Sequence, residues 1–325
     1  MEQLNTMKAI LIQADKSLTW TDVPEPILKD NHIVIKVNAA ALNRADLLQR
    51  DGLYPSPPEW PDWMGLEASG EVIEANKDSR WKVGNKVCAL LGGGGYAEKV
   101  LVPDDMVMSV PDNLSMIEAA GIPEVFATAY LNLFIEGEMK KGDTVFVQAG
   151  ASGLGVALIQ LAKRFGAKKI ITTVGSEEKA QFVRELGADV VINRKTENIS
   201  EVLAKHPADV AIDCVAGPNL GACLATMAHG GRWVVLATLG GVSSELNMLD
   251  FFKRGVKLIG STLRSRTNEM KGDILSKLEN DLWPAFSSGE LKVFIHKTLP
   301  MTQAEEAHAI LQRQENIGKV VMYIK

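Results

Sequence analysis

Cysteine is scarce in this chain, and its few residues are spaced neither as metal ligands nor as a disulfide framework. Only three occur among 325 residues, namely Cys88, Cys214 and Cys223. The five histidines are scattered, and none pairs with a cysteine or a carboxylate in a recognisable ligand motif. These scarcities argue against a secreted disulfide scaffold, and we expect buried thiols and no bound metal.

Long apolar runs and clusters of positive charge are also missing. The longest apolar stretches have the length of a strand, so we expect no membrane-spanning segment and no membrane partner. Residues 1–8 lack a basic segment followed by an apolar core, so we expect no signal peptide. The net charge is −5 and no run of Lys and Arg occurs, which argues against a nucleic-acid partner. We therefore predict a cytoplasmic location.

What the chain does contain is a strand–turn–helix pattern that begins at Val145–Val147. A turn rich in glycine and serine follows this apolar run and leads into an amphipathic helix. This pattern opens a dinucleotide-binding unit, which holds a pyrophosphate at the helix N-terminus. We expect Gly150 to allow the sharp turn, Gly153 to let the backbone approach the pyrophosphate, and Gly155 to let the helix pack closely. Ser152 stands where the standard fingerprint has glycine.

Short apolar strands alternate with amphipathic helices after this turn. The predicted strands are residues 169–174, 190–193, 209–215, 233–238 and 257–262. Such alternation predicts a parallel sheet that helices cover on both faces. Together with Val145–Val147 these are six strands, the number in a full dinucleotide-binding domain. The fold class is therefore α/β, with a Rossmann doubly wound parallel sheet.

The pattern is different at both ends of the chain. Short strands and turns occupy the chain before residue 120, and a strand, a helix and a strand return after residue 292. We predict one mostly β domain made of residues 1–123 and 263–325. The dinucleotide-binding domain is then inserted into it at residues 124–262.

This organisation resembles the medium-chain dehydrogenase/reductase superfamily, and its motifs resemble the quinone oxidoreductase family. The segments that carry the resemblance are residues 41–47, 65–70, 122–128, 263–266 and 316–319. The resemblance implies a GroES-like catalytic domain, an NADPH cofactor and a quinone reduced by direct hydride transfer. Two alternatives remain open, namely reduction of activated C=C bonds in enones or alkenals, and a non-catalytic NADPH-binding protein.

The chain departs from the zinc alcohol dehydrogenases of this superfamily. Leu66 stands where those enzymes have a histidine, and no four-cysteine lobe occurs between residues 90 and 120. A catalytic zinc needs three protein ligands, and Glu67 alone remains of the set. We expect Glu67 to make a structural hydrogen bond or ion pair, and the enzyme to work without zinc.

The choice of cofactor depends on the end of the second predicted strand. An NAD site usually has an Asp or Glu there, about 20 residues after the glycine turn, but Val174 and Gly175 carry no charge. Ser176, Lys179 and Arg194 can converge on one anionic group near this place. These features predict the 2′-phosphate of NADPH. The alternative is that Lys179 and Arg194 are ordinary solvated charges.

The resemblance also implies a substrate side. Asn43 would hydrogen-bond a quinone oxygen or the nicotinamide ribose, although an Asn before a helix is often simply an N-cap. Tyr54 would stack on a flat substrate, and its alternative is a half-buried packing residue. Because Leu48 stands where some relatives have a second tyrosine, solvent is the candidate proton donor.

Three further contacts with the cofactor follow from the resemblance. Thr128 would touch the nicotinamide, and Asn316 lies in the tail segment that passes the cofactor in related enzymes. Arg264 or Arg266 would reach the cofactor phosphates or the substrate. The alternative for the two arginines is an ion pair between the domains.

The sixth predicted strand, residues 257–262, is expected at the edge of the parallel sheet. An apolar edge strand needs a cover or a partner, and we predict a homodimer in which this strand pairs with its symmetry mate. The alternative is that residues 251–254 fold over the edge within one chain.

Overall fold

The computed structural model describes residues 5–325, which form two compact units. One unit contains residues 5–127 and 266–325, and the other contains residues 128–265. These divisions lie three or four residues beyond the predicted boundaries at 124 and 262. A helix, Pro123–Tyr130, runs across the first division without a break, so no turn residue marks it in the sequence.

The unit formed from both ends of the chain is mostly antiparallel sheet and has the GroES-like fold. Its strands are β1 (Thr6–Ile12), β2 (Leu18–Pro24), β3 (His32–Ala41), β4 (Glu67–Ala75), β5 (Lys86–Leu90), β6 (Lys99–Pro103), β7 (Val107–Ser109), β14 (Ile295–Pro300) and β15 (Lys319–Tyr323). Its helices are α1 (Arg44–Arg50), α2 (Met116–Ala120), the first part of α3 (Pro123–Tyr130), α9 (Asn268–Ser288) and α10 (Ala304–Gln312).

The last strand of the chain, β15, lies inside the main sheet of this unit. The strand order is β14-β15-β3-β4-β5-β7, with β6 paired to β3 and with β1 and β2 forming a separate hairpin. β15 is antiparallel to β3, so that Val321 faces Ala41 and Met322 faces Ala40. This pairing brings the start of β15 to the end of β3, where helix α1 begins.

The long helix α9 and the hairpin β1–β2 were not predicted from the sequence. Pro284 lies inside α9, where a proline usually ends a helix because it lacks the N–H and clashes with the preceding turn. The helix continues past Pro284 because it buries one apolar face. That face consists of Ile274, Leu275, Leu278, Leu282 and Phe286.

The second unit alternates strands and helices along the chain. Its strands are β8 (Thr144–Val147), β9 (Lys169–Val174), β10 (Val190–Asn193), β11 (Val210–Asp213), β12 (Arg232–Val235) and β13 (Lys257–Gly260). Its helices are α4 (Gly153–Arg164), α5 (Glu177–Leu186), α6 (Ile199–Lys205), α7 (Leu220–Leu224) and α8 (Met248–Arg254). Helix α7 is only five residues long.

All six strands of this unit are parallel, in the order β10-β9-β8-β11-β12-β13. Counted within the unit, this is the order 3-2-1-4-5-6 of the Rossmann fold, so the predicted fold class is confirmed. The order reverses between β8 and β11, and ligands of such sheets bind in the crevice at the carboxyl ends of these strands. Among the described residues, β13 is paired only with β12.

Within residues 5–325, no helix combines the length and the hydropathy that crossing a bilayer would require.

Candidate functional site

The turn after β8 lies at the switch point of the parallel sheet and is held by the neighbouring strand β9. The Thr173 hydroxyl accepts a hydrogen bond from the Ala149 N–H at 2.9 Å and donates one to Gln148 Oε1 at 2.7 Å. The Gly150 N–H donates to the Thr173 carbonyl at 3.0 Å. The sequence analysis missed this threonine, whose buried hydroxyl sets the path of the turn.

The reason for glycine at position 150 differs from the expected one. The residue with a positive φ in this turn is Ala149, at 54°, and not Gly150. A Cβ on Gly150 would instead lie 2.1 Å from the Thr172 hydroxyl oxygen, so no larger residue fits there. A Cβ on Gly155 would lie 2.2 Å from the Ala149 carbonyl, in agreement with the close packing of α4 on this turn.

Ser152 is the N-cap of the 12-residue helix α4. Its hydroxyl accepts from the Gly155 N–H at 3.0 Å and donates to the Ala149 carbonyl at 2.7 Å. Gly153 is the first residue of the helix, so its N–H belongs to the turn that has no intrahelical acceptors. The positive end of the helix dipole and these N–H groups suit a pyrophosphate, so the geometry fits the predicted dinucleotide.

The residues predicted to read the 2′-phosphate lie together at the ends of β9 and β10. Ser176 caps α5, and its hydroxyl accepts from the Lys179 N–H at 3.3 Å. The Arg194 N–H donates to the Val174 carbonyl at 3.0 Å, which ties the end of β10 to the end of β9. A Cβ on Gly175 would lie 2.8 Å from an Arg194 guanidinium nitrogen, so this guanidinium lies against the glycine.

The remaining predicted cofactor contacts of this unit lie on other elements. Thr128 is half-buried on α3, and its carbonyl accepts from the Asn132 side chain at 2.8 Å. Arg264 is half-buried in a turn after β13, next to the contact of the Thr262 and Ser265 hydroxyls at 2.7 Å.

The GroES-like unit contains a second polar cluster, centred on Lys319 at the start of β15. The ammonium group of Lys319 lies 2.7 Å from Glu67 Oε1, 2.8 Å from the Leu42 carbonyl and 2.9 Å from Asn43 Oδ1. Asn43 Nδ2 donates to Glu67 Oε1 at 3.0 Å, and the Glu124 N–H donates to Glu67 Oε2 at 2.8 Å. Glu67 is fully buried, and Lys319 is 4% exposed.

Asn43 stands at the N-cap of α1, where the Asp46 carboxylate accepts from the Asn43 N–H in a capping-box arrangement. Its side-chain oxygen contacts Lys319, and its side-chain nitrogen contacts Glu67. Asn43 therefore stands at the N-cap position and also has side-chain contacts beyond the helix. Glu67 makes the ion pair that was one of its two expected roles.

A fully buried group of titratable residues supports Asn43 from the other side. Asp46 Oδ2 accepts from the Asn43 N–H at 2.8 Å and from the Tyr96 hydroxyl at 2.7 Å. The Tyr96 hydroxyl also lies 3.3 Å from His308 Nε2. Burial raises the pKa of Asp46 to about 6, raises the pKa of Tyr96 well above its usual value, and lowers the pKa of His308 to about 4.

Tyr54, the other predicted substrate residue, lies beyond the opposite end of α1 from Asn43. The seven-residue helix is about 10 Å long, so α1 does not bring the two side chains together. The helix ends at Arg50 with Asp51 as its C-cap, and Gly52, with a φ of 80° and an N–H that donates to the Gln49 carbonyl, turns the chain toward Tyr54. Tyr54 is half-buried in the loop that follows.

Asn316 has a local structural contact. Its amide donates to the Gly318 carbonyl at 3.0 Å and closes the turn before β15. Gly318 has a φ of 77°, and a Cβ there would lie 2.3 Å from the Phe294 carbonyl. This turn sets the start of β15, the position that Lys319 occupies.

The sequence analysis missed the roles of Lys319, Tyr96 and His308 in this cluster. A lysine that opens an apolar strand, in Lys319-Val-Val-Met, is the signal that was available, because lysine is almost never fully buried unless it is paired. Tyr96 and His308 lie 212 positions apart in sequence, and no pattern in the sequence relates them. Among the described residues, no group of three or more His, Cys, Asp or Glu could hold a metal ion.

Two protein families match the chain. One match lies within the GroES-like unit, and the other covers most of the parallel-sheet unit and the first part of α9. Residues 29–112 match the family described as alcohol dehydrogenase GroES-like domain. Residues 153–280 match the family described as zinc-binding dehydrogenase. The fold and these matches define a medium-chain dehydrogenase/reductase.

Individual relatives make the assignment more specific. Human quinone oxidoreductase is 32% identical over 312 residues, which cover 94% of this chain and 92% of that protein. A mycobacterial protein solved with NADPH has a TM-score of 0.85 and 27% identity, with 98% and 99% of the two chains covered. CurK enoyl reductase has a TM-score of 0.86 and 25% identity, with 99% and 100% covered. The chain belongs to the quinone oxidoreductase family.

The raised pKa of the buried Asp46 carboxylate should make the free energy of unfolding depend on pH. Because its pKa is about 6 in the fold and 3.8 ordinarily, the native state loses stability as pH rises through this range. Asp46→Asn removes that loss. Between about pH 4 and pH 7, we expect the variant to gain up to ~3 kcal/mol in unfolding free energy relative to the wild type, measured by urea denaturation.

His308→Gln is the matched control, because its effect has the opposite sign. Since the native pKa of His308 is about 4, the wild type loses stability as pH falls below the ordinary value of 6.5. The His308→Gln protein should therefore gain stability relative to the wild type as pH falls. Differences from the wild type that do not change with pH would contradict both assignments.

Proposed function

We propose that this protein is an NADPH-dependent quinone reductase that works by direct hydride transfer without zinc. The observation that carries the proposal is the buried pair of Lys319 and Glu67, at 2.7 Å. Glu67 is the one residue left of the expected zinc ligands, and both of its oxygens have partners in the protein. Leu66, at the position of the missing histidine ligand, is buried and apolar.

A site with this donor set suits a substrate that delocalises the incoming charge. Alcohol oxidation needs a Lewis acid that stabilises an alkoxide, whereas a quinone accepts hydride into a conjugated system. NADPH, when bound, supplies the hydride. Asn43 supplies an amide N–H for the substrate, and solvent provides the proton for the product.

The preference for NADPH is supported by the group at the ends of β9 and β10. Position 175, where an NAD site would have a carboxylate, is a glycine against which the Arg194 guanidinium lies. Ser176 and Lys179 begin the next helix, so Ser176, Lys179 and Arg194 would surround a 2′-phosphate. Bound NADPH in the mycobacterial relative agrees with this choice.

Reduction of activated C=C bonds is the second candidate, and CurK enoyl reductase supports it. The same hydride geometry serves a quinone and an enone, because both are conjugated carbonyl compounds. The decisive experiment measures NADPH oxidation with a panel of quinones and 2-alkenals. We expect turnover of quinones that is unchanged by chelators in protein prepared without added zinc.

Each other result of this panel has a defined meaning. Turnover of alkenals without turnover of quinones would replace the leading proposal by the second. Absence of turnover with every acceptor would favour the non-catalytic NADPH-binding class. Stoichiometric zinc that is needed for activity would contradict the zinc-free mechanism.

The role of Lys179 can be tested by binding. Removing one charged partner of a phosphate costs ~1.5–3 kcal/mol, or about tenfold or more in affinity. Lys179→Ala should therefore weaken NADPH binding by at least this factor and leave NADH binding nearly unchanged, as measured by titration calorimetry. Lys168→Ala is the control, because this exposed lysine precedes β9 at its opposite end. Equal losses for both cofactors would show that Lys179 does not bind the 2′-phosphate.

We also propose that two chains associate through strand β13. This strand forms the edge of the parallel sheet, and the segment around it exposes a set of large apolar side chains. They are Leu239, Val242, Met248, Leu249, Phe252 and Leu258. Helix α8 does not cover this edge completely, because Leu258 remains 39% exposed. Pairing with a second β13 would satisfy the edge and bury this surface.

Sedimentation at micromolar concentration tests this association. The wild type should have about twice the chain mass of 35.3 kDa, and Leu258→Asp should dissociate it by placing charge in the contact. Val83→Asp is the control, because Val83 is an exposed apolar residue of the other unit. A wild type of 35.3 kDa would refute the dimer.

Two finer assignments complete the proposal. The segments at residues 41–47 and 263–266 resemble the p53-inducible type of quinone oxidoreductase, to which we assign the chain. We also assign it to the cytoplasm, where the three cysteines would remain the thiols that they are in the structure.

A further inference from the structure

The contacts of Lys319 determine which way the Asn43 amide faces. An ammonium group has three hydrogens to donate and cannot accept a hydrogen bond. The three contacts of Lys319 are Glu67 Oε1, the Leu42 carbonyl and Asn43 Oδ1, so each hydrogen has an acceptor. The amide atom of Asn43 that faces Lys319 must therefore be the oxygen.

Glu67 also determines the orientation of the Asn43 amide, from the side opposite Lys319. A carboxylate that is paired with Lys319 offers only acceptors, so the amide atom that faces Glu67 must be the nitrogen. The distance from Asn43 Nδ2 to Glu67 Oε1 is 3.0 Å. Rotation of the amide by 180° would place oxygen against oxygen and nitrogen against ammonium, so the two charges exclude the flipped form.

The main chain of Asn43 is fixed as well. Its N–H donates to Asp46 Oδ2 at 2.8 Å, and the N–H of the preceding Leu42 donates to the Val320 carbonyl at 2.9 Å. Glu67 is held in turn by the Glu124 N–H at 2.8 Å. The side chain of Asn43 therefore has little freedom besides the flip that Lys319 and Glu67 prevent.

One hydrogen of the Asn43 amide remains for a ligand. The NH₂ group has two hydrogens, and Glu67 accepts one of them. Within residues 5–325, no acceptor lies on the second. Asn43 is only partly buried, so this hydrogen can reach a bound molecule.

We propose that Lys319 and Glu67 are positioning residues that make Asn43 present an N–H, and never a carbonyl, to its ligand. The ligand atom is then an acceptor oxygen. On the proposed function, this is the carbonyl oxygen of the quinone or enone, or a hydroxyl oxygen of the nicotinamide ribose. When hydride adds to the conjugated system, an electron pair moves onto the carbonyl oxygen, water supplies the proton, and NADPH leaves as NADP⁺. A fixed N–H donor stabilises the charge that develops on this oxygen.

Single substitutions in this cluster would leave a buried charge without its partner, so they would confuse stability with function. The double variant Asn43→Asp with Glu67→Gln avoids this difficulty. It keeps one carboxylate beside Lys319, and the new amide at position 67 donates to the new carboxylate at position 43. The net charge is therefore preserved. The oxygen of the new amide at position 67 still accepts from the Glu124 N–H, and Lys319 keeps acceptors at position 43 and at the Leu42 carbonyl but loses its contact with position 67. On the side of residue 43 that would face a ligand, the amide nitrogen that donates a hydrogen bond is replaced by a carboxylate oxygen, which can only accept one.

We expect this double variant to fold, with an unfolding temperature somewhat below that of the wild type because one contact of Lys319 is lost, and to lose about 100-fold in kcat/KM for quinone. A loss in kcat with unchanged NADPH affinity would identify the substrate carbonyl as the acceptor. A matching loss in NADPH affinity would identify the ribose oxygen. A folded double variant with wild-type kcat/KM and NADPH affinity would overturn the proposal.

A second pair, Lys319→Met with Glu67→Gln, tests the positioning itself. It removes both charges together and keeps Asn43, so that the amide can adopt either orientation. We expect an intermediate loss in kcat/KM of about tenfold. Unchanged kcat/KM would show that the ion pair does not orient Asn43.

A measurement without turnover separates this inference from the proposed function. In a spectrum of ¹⁵N-asparagine-labelled protein, the Asn43 amide should give one pair of slowly exchanging signals in the wild type. Lys319→Met with Glu67→Gln should broaden or double them. If the wild type reduces no acceptor but shows this difference, the proposed function fails and the orientation stands. If the signals are the same in both proteins, the orientation is wrong.

Discussion

The buried ion pair between Lys319 and Glu67 joins three parts of the GroES-like unit. Lys319 begins the last strand, Glu67 begins β4, and both contact Asn43 at the start of α1. Taking two such charges out of water costs several kcal/mol per ion, which only good geometry and further hydrogen bonds can offset. Here the remaining donors and acceptors are satisfied by the Leu42 carbonyl and the Glu124 N–H. The pair thus specifies how the strands around it meet.

The Rossmann unit depends on a different constraint, the space around its first turn. Gly150 lies against Thr172, and Gly155 lies against the Ala149 carbonyl, so that helix α4 begins close to the carboxyl end of β8. Thr173 supplies the hydrogen bonds that hold this turn. The first turn of this unit therefore rests mainly on backbone geometry, whereas the cluster around Asn43 in the other unit rests on paired charges.

The six parallel strands were predictable because each is a short apolar run that is bounded by turn residues. The groups around Ser152 and Ser176 were predictable because their members lie close together in sequence near strand ends. Lys319, Tyr96 and His308 were not, because their contacts join elements that lie far apart in the chain. Helix α9 was missed because Pro284 argues against a continuous helix, and only the burial of its apolar face overrides that signal.

The insertion of one unit into the other has a consequence for synthesis on the ribosome. Residues 128–265 are contiguous, and domains generally fold as units in the order in which they emerge. The GroES-like sheet lacks β15 until residues 319–323 have been made, and Glu67 and Asn43 then lack their cation. A nascent chain can thus complete its dinucleotide-binding half while Glu67 in the other half still lacks its cationic partner. The sheet is complete only once Lys319 has been made, which is after the whole of residues 128–265.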